Sequence, residues 1–443
     1  MLTLASLVPD AIAEWSRRAT GTDLRGHSVA TQVAMFGFSR FRPTQDRILR
    51  ILLGTLTRAA LSVIALASCR DETPSNGGLG GPGAERVAWR VGVISPYSGG
   101  MIATDADRLY AYESGTSLAA IGLHDQRVKW RIATNESNFD SPLRGISICG
   151  GKVVFGSYSA MYGATPLTGD RAWRVQPSLG GSLQLGAPVC ADSTVFIGTS
   201  QQLRVYAIDA RSGLEKWAAD LNPASGSRGL VFTPSVADGV VIACTREFTA
   251  PFAGMVVGLD ASTGRELWRY RWPPLAPTVD AGCAKPTAAG NGLALASVDD
   301  GRVFAFDLRS GALRWTHPPI EGFLTPGEER PIAITNGVVM IGSLSGILTG
   351  VELTTGRQLW RIGSRDASYE TNIIDPLVGD QNQFVGINQS GWALAIDAQT
   401  GRRQWTVQRG KQLNERILFA SGVLTPDLFI AIGSDAVYAI RRY

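Results

Sequence analysis

The chain has 443 residues, with 42 Lys and Arg against 38 Asp and Glu and a formal net charge of +4. Residues 1–68 alone hold eight Arg and four acids, which leaves 34 basic and 34 acidic residues in the rest of the chain. A nucleic-acid-binding role needs a basic stripe to neutralise phosphates, and this balance gives it no support.

The first predicted element is a leader. Arg40, Arg42, Arg47, Arg50 and Arg58 precede the apolar run Ala59–Ser68. A basic region followed by so short an apolar stretch reads as a secretory signal, not a membrane span. The run ends Leu66-Ala67-Ser68-Cys69 and resembles the lipobox of bacterial lipoproteins. That resemblance implies diacylglycerol on the Cys69 thiol, cleavage before Cys69 and acylation of the new amino terminus. Residues 1–34 fit no signal peptide, whereas a start at Met35 gives a leader of ordinary form over residues 35–68. Met1–Ala34 is then a mis-assigned start or a cytoplasmic extension. Arg70 follows the cysteine, and by resemblance to the enterobacterial sorting rule its place there points to the outer membrane. Residues 69–83 are Gly- and Pro-rich and read as a flexible tether between lipid and folded domain.

The rest of the chain, residues 84–443, is a repeat. Its cleanest copies are Ala207-x-Asp209-xxx-Gly213-xxx-Trp217, Ala305-x-Asp307-xxx-Gly311-xxx-Trp315 and Ala395-x-Asp397-xxx-Gly401-xxx-Trp405. Copies ending at Trp268 and Trp360 begin with Gly258 and Gly350, the copy ending at Trp173 has Thr165 for the acid, and the copy ending at Trp130 is worn. With Trp89 the recurring indoles number eight, spaced 41 to 51 residues apart. A period of about 40–45 residues with strand-like content is that of a β-propeller blade. Apolar runs such as Lys152–Phe155, Thr194–Ile197 and Gly239–Ile242 are short and separated by Gly, Asn and Asp, as strands joined by turns require. The Asp is placed to accept turn N–H groups. The Gly takes φ > 0 in a type I turn with a bulge. The Trp falls on the outermost strand, where its indole fills the wedge between sheets and its N–H needs an acceptor.

The last repeat stops after its third strand, Ala436–Ile440, with no Trp following. The segment Glu85–Val91, which contains Trp89, supplies the missing outer strand. The predicted fold is an all-β, eight-bladed propeller of four-stranded antiparallel blades, closed by the N-terminal strand, which removes two sheet edges and stabilises the ring.

These motifs resemble the pyrroloquinoline-quinone-type propeller repeat over about Glu85–Tyr443. Eight blades behind a lipobox are most similar to the outer-membrane assembly lipoproteins of the barrel-assembly machine. The resemblance implies a non-enzymatic scaffold on the periplasmic face of the outer membrane, docking the periplasmic domains of a barrel insertase. In that family contact residues lie in loops joining successive blades, within a Leu-x-Leu-Arg-Gly stretch and a later pair of acids. This chain has Arg228-Gly229 without either leucine, and Asp280 as the single acid of the next such loop. Arg228 and Asp280 are the candidate partner-binding residues, with solvated loop charges as the plainer alternative. The insertion Arg246–Gly254 lengthens the fourth blade, and its Phe248 and Phe252 are read as covering a blade edge in preference to anchoring a partner.

Two other classes stay open. A quinone-dependent dehydrogenase would need pyrroloquinoline quinone, Ca²⁺ with oxygen ligands and a carboxylate base. The repeat acids are assigned to turns, and the adjacent cysteine pair of such enzymes is missing. A generic ligand-binding or sensor lipoprotein is the third class. No catalytic, cofactor-binding or metal-ligating residue is assigned. His124 and His317 are isolated, and Asp299-Asp300-Gly301 reads as a hairpin turn without the ligands of a calcium loop. Cys149, Cys190, Cys244 and Cys283 fall in different blades and are read as buried free thiols, since equivalent positions on neighbouring blades are expected to lie too far apart to bridge.

Overall fold

The short β-branched runs form strands throughout. The computed structural model describes residues 84–92 and, from 102 to 443, all but 115–116, 134–144, 157–159, 177, 179–187, 222–227, 249–253, 274–281, 284–286, 319–331, 343–346, 364–372, 379–381, 389–391, 409–418 and 434–435. The leader, Cys69 and the tether lie outside the described residues.

Eight antiparallel sheets follow one another along the chain, the first seven with their strands in sequence order from inner to outer. Blade 1 runs from Ala103 to Ala133, blade 2 from Ile146 to Val175, blade 3 from Val189 to Asp220 and blade 4 from Gly229 to Tyr270. Blades 5, 6 and 7 span Ala288–His317, Ile332–Ile362 and Ile373–Gln408. Blade 8 takes its inner three strands from Phe419–Arg441 and its outer strand from Val87–Gly92. Val87 pairs with Ile440 and Gly92 with Ala436, so the two ends of the domain complete one sheet. The closing strand starts two residues later than the sequence places it, after a single 3-10 turn over Ala84–Arg86.

Packing explains every position of the repeat. Each Trp lies directly across the strand pair from its small motif residue: Ala120 from Trp130, Gly163 from Trp173, Ala207 from Trp217, Gly258 from Trp268. The same holds for Ala305 and Trp315, Gly350 and Trp360, Ala395 and Trp405, and in the closing blade Ala439 and Trp89. A small cross-strand neighbour lets the indole lie down over the sheet. In Trp130, Trp173, Trp217, Trp268, Trp315 and Trp360 the N–H then donates to a carbonyl in the turn of the next blade, as Trp173 Nε1 to Ala210 O at 2.9 Å, Trp268 to Leu308 O at 2.9 Å and Trp360 to Ala398 O at 2.8 Å.

The turn itself is built as the motif requires. Asp260 Oδ1 accepts the N–H groups of Ser262 and Thr263 at 3.0 and 2.9 Å and both of their hydroxyls. These donors, the Ser262 hydroxyl first, hold its pKa down to about 2. Asp307 is lowered further still, chiefly by Arg314 at 2.6 Å.

The core is eight clusters, one between each pair of neighbouring blades. The last of them seats Trp89, Ile102 and Leu109 against Ile430 and Val437, joining blade 8 to blade 1. Burial against two neighbours is what makes a ring of thin sheets stable, since no blade has a core of its own.

Three expectations are corrected. Blade 4 is not a plain four-stranded sheet: two segments, Gly229–Val231 and Ser235–Ala237, pair with different halves of one long second strand, Val240–Glu247. Arg246 and Glu247 therefore belong to that strand and not to a loop. The four cysteines are not free thiols. Cys149 bridges Cys190 and Cys244 bridges Cys283, with Cα atoms 5.5 and 5.9 Å apart. Sheets fan outward from the axis, so the separation argument holds at the rim and fails at the inner strands, where Cys149 and Cys190 sit. Finally Phe248 is 44% exposed and so only partly covered, while Phe252 lies outside the described residues.

Candidate functional site

The two ends of the ring differ in kind. Neighbouring strands alternate in direction, so the turns from inner to second strand and from third to outer strand emerge together, on what we call the turn face. Arg309 Nη2 donates to Asp238 O of the preceding blade at 3.2 Å, and Gln399 Nε2 to Asn336 O at 2.8 Å, tying adjacent turns together. The links from second to third strand and from blade to blade emerge at the opposite, loop face.

On the loop face a continuous backbone belt crosses blades 3, 4 and 5. The upper half of the long strand, Thr245–Glu247, pairs with Gly229–Val231. That segment reaches back to blade 3, where Leu230 bridges Ser200 and Val231 N donates to Thr199 O at 2.8 Å. On the other flank Cys283 N donates to Thr245 O at 3.0 Å, Cys283 bridges Val298 of blade 5, and Asp299 N donates to Gly282 O at 2.9 Å. The Cys244–Cys283 disulfide staples this flank. The belt needs Gly229: a Cβ there would overlap the Arg246 carbonyl and lie 2.7 Å from Leu203 Cδ2. The glycine of the Arg-Gly pair is thus a requirement of close backbone approach.

Charged side chains pin the belt. Arg246 Nη2 lies 3.2 Å from Asp299 Oδ2, whose carboxylate is 1% exposed. Beside it Arg302 donates through Nε to Asp300 at 2.9 Å and through Nη2 to Pro273 O at 2.6 Å, with its guanidinium 5.0 Å from the Phe304 ring centre. Arg271 pairs with Glu247 at 2.9 Å. Burying such ions carries a desolvation cost that only good geometry offsets, so their effect is to fix the loops in one arrangement. Above them Phe248 N donates to Arg228 O at 2.8 Å, which sets two exposed side chains, a cation and a phenyl ring, next to each other.

Of the residues singled out in the sequence, Arg228 is exposed on this belt. Asp280 falls in segment 274–281, outside the described residues, though the chain flanking it, Trp272 and Cys283, is packed into the belt's core cluster. The eight indoles are in the wedges and not in the site. Asp299-Asp300-Gly301 is a hairpin turn as read, with Gly301 N donating to Val298 O at 2.8 Å, but its carboxylates are buried in ion pairs. Their role was invisible in the sequence because both partners of the Arg246–Asp299 pair come from different blades. His124 sits exposed in a turn and His317 ends an outer strand.

Among the described inner strands Asp375 is the single acid, and the remaining polar side chains are hydroxyls, Lys-free and carboxylate-free. No group of three or more His, Cys, Asp or Glu close enough to hold a metal ion occurs among the described residues. The disulfides join residues 41 and 39 positions apart, so neither is an adjacent-cysteine pair.

Eight sheets wedged by recurrent indoles, sealed by the N-terminal strand, define a propeller of the pyrroloquinoline-quinone-type repeat class. Within that class the chain belongs to the family described as outer membrane protein assembly factor BamB, whose model matches residues 82–247, 161–322 and 299–442. BamB of Moranella endobia (strain PCIT) is 24% identical over 259 residues, 57% of this chain and 63% of that protein. The chain thus spans under two thirds of that relative. Quinohemoprotein alcohol dehydrogenase ADH IIB of Pseudomonas putida is 30% identical over 170 residues, 36% of this chain and 23% of the enzyme. The crystal structure of BamB from Moraxella catarrhalis aligns over 79% of this chain and 100% of its own with a TM-score of 0.58 at 16% identity, a likeness of fold.

Proposed function

We propose that this protein is a non-enzymatic scaffold of the cell envelope that serves outer-membrane β-barrel assembly, held to the outer membrane by lipid on Cys69. Its partner is a periplasmic domain of the barrel insertase, and the docking surface is the loop face of blades 3 to 5. The observation that carries this reading is the belt: three blades fused by backbone pairing, a disulfide and buried ion pairs into a rigid platform, with Arg228 and Phe248 exposed on it. A platform ordered before binding loses little entropy on docking. Family membership supplies the process.

The test is photo-cross-linking in intact envelopes from a reactive residue placed at Phe248 and, separately, at Leu214 on the turn face. Recovery of an insertase subunit from position 248 and not from 214 supports the proposal. Capture of other envelope proteins without any insertase subunit would refute it in favour of a generic sensor. The dehydrogenase relative motivates a second reading, checked by titrating the purified protein with pyrroloquinoline quinone and Ca²⁺: stoichiometric binding with dye reduction by alcohols would replace the scaffold reading.

A further inference from the structure

The two bridges sit in unlike surroundings. Cys149 is the last residue of the inner strand of blade 2, and Cys190 is the middle residue of the inner strand of blade 3. Those strands belong to separate sheets, so the bridge spans the wedge between two blades at its axial end. Cys149 runs straight into the hairpin Gly150-Gly151, and Cys190 is one residue short of the hairpin Asp192-Ser193; Gly151 and Asp192 are exposed on the turn face. Cys190 itself is partly exposed, whereas Cys149, Cys244 and Cys283 are 2, 0 and 0% exposed. The Cys244–Cys283 bridge is enclosed. Cys244 faces Val256 across its strand pair and Cys283 faces Val298. Both belong to the apolar cluster between blades 4 and 5, and Cys283 N donates to Thr245 O. A thiol would have to open the belt before it reached either sulfur.

Charge separates the bridges too. Lys152 is directly opposite Cys149 in register across the Gly150-Gly151 hairpin, so both side chains leave the same face of the sheet. Arg211 of blade 3 lies over the same hairpin: a Cβ on Gly150 would be 3.1 Å from its Cγ. Asp192, the acid of these two hairpins, is exposed on the Cys190 side of the bridge. Thiol–disulfide exchange begins when a thiolate attacks the reachable sulfur, and the other sulfur leaves as a thiolate that a nearby cation stabilises. Access at Cys190 and cations at Cys149 set one direction for that reaction.

We propose that Cys149–Cys190 is a thiol-exchange site, open to dithiols from the turn face, while Cys244–Cys283 is a structural bridge closed to them. One thiolate of the dithiol bonds to Cys190 Sγ as the Cys149–Cys190 bond breaks, and the electron pair of that bond goes to Cys149 Sγ on the Lys152 side. The second thiol of the dithiol gives its proton to solvent and attacks the mixed disulfide. That step releases Cys190 as a thiolate and leaves the dithiol as an internal disulfide. Two electrons pass to the protein, and both of its sulfurs take protons from water. The ring survives the change, because Cys149 and Cys190 stay packed with Val154, Val195 and Tyr206 in the wedge. The site depends neither on lipid at Cys69 nor on an insertase.

The test uses the full chain with Cys69→Ala, so that all four remaining cysteines are bridged, and dithiothreitol as the dithiol, at neutral pH and below the thermal midpoint. Timed samples are alkylated and mapped by mass spectrometry. Labels at 149 and 190 should appear at least about tenfold sooner than labels at 244 and 283, with the circular dichroism unchanged. Lys152→Gln should slow labelling of the first pair several-fold and Lys152→Arg should keep the parent rate, while labelling at 244 and 283 stays as it was. With glutathione as a monothiol, the trapped mixed disulfide should sit on Cys190 and the alkylated thiol on Cys149. Equal or reversed order of labelling would overturn the proposal. So would a rate at 149 and 190 that rises with urea as global unfolding does, an unchanged rate in Lys152→Gln, or glutathione found on Cys149 in place of Cys190.

Discussion

Gly311 in blade 5 lies flat against the indole of Trp268 in blade 4, so close that a Cβ on the glycine would sit 2.5 Å from Trp268 Cδ2. The same residue holds φ at 69°. One glycine therefore meets two demands, a left-handed turn and a floor beneath the neighbouring blade's indole, and the pattern recurs at Gly213 under Trp173 and Gly401 under Trp360.

Gly311→Ala should thus cost more than a turn glycine usually does. Left-handed strain contributes about 1–2 kcal/mol and overpacking about 1–3 kcal/mol, giving a loss of about 2–5 kcal/mol in urea unfolding. Gly239→Ala supplies the comparison, since its φ is 76° but nothing lies within 4 Å of the added Cβ. A cost at Gly311 no larger than at Gly239 would show that the indole contact carries no weight.

The indoles are not equivalent. Trp360 Nε1 donates to Ala398 O at 2.8 Å, whereas Trp405 Nε1 is buried with no hydrogen-bond partner. Replacing Trp360 by Phe strands a carbonyl and should cost about 1–2 kcal/mol more than Trp405→Phe, as an unmet buried partner does. Thermal unfolding of the two variants side by side measures this difference.

Acid should loosen the turns in a defined window. Asp260 titrates at about 2 in the folded chain, held down first by the Ser262 hydroxyl and then by Thr263, and at about 3.9 when unfolded. Its folded value is the lower, so its contribution is complete above the unfolded value and is lost as pH falls toward 2. Thermal midpoints followed from pH 5 to pH 2 should drop less steeply in Asp260→Asn than in the parent. Asp307, lowered chiefly by Arg314, should behave likewise, and Arg314→Ala should bring its titration back toward the ordinary range.

Each disulfide closes a loop of about 40 residues, for which chain-entropy arguments give roughly 2–4 kcal/mol. Reduction, or Cys244→Ser with Cys283→Ser, should lower the thermal midpoint. The loss of the Cys244–Cys283 bridge should in addition speed hydrogen exchange at the amides of positions 245 and 283 on the belt, and Cys149→Ser with Cys190→Ser should leave those amides protected.

Arg228 and Arg246 should separate binding from stability. Arg228 is exposed, so Arg228→Ala should leave unfolding unchanged and lower insertase cross-linking about tenfold if its charge is desolvated in the complex. Arg246→Ala removes the ion partner of a buried carboxylate and should cost about 2–3 kcal/mol in urea unfolding.

The repeat, its period and its truncated last copy were enough to determine the ring, its eight blades and its closure by the strand around Trp89, because one packing problem solved eight times leaves one pattern eight times. The resemblance singled out Arg228-Gly229; the structure shows Gly229 required by close backbone approach and Arg228 exposed beside it. What only the tertiary structure decided are contacts between segments that no periodicity links: the Cys149–Cys190 and Cys244–Cys283 bridges, the divided inner edge of blade 4, and the Arg246–Asp299 pair. The Cys149–Cys190 bridge arises where inner strands converge on the axis, and the others on the loop face, where unequal links between blades bring unlike residues together. Sequence spacing measures distance along the chain, and at those places distance through space is set by the curvature of the ring.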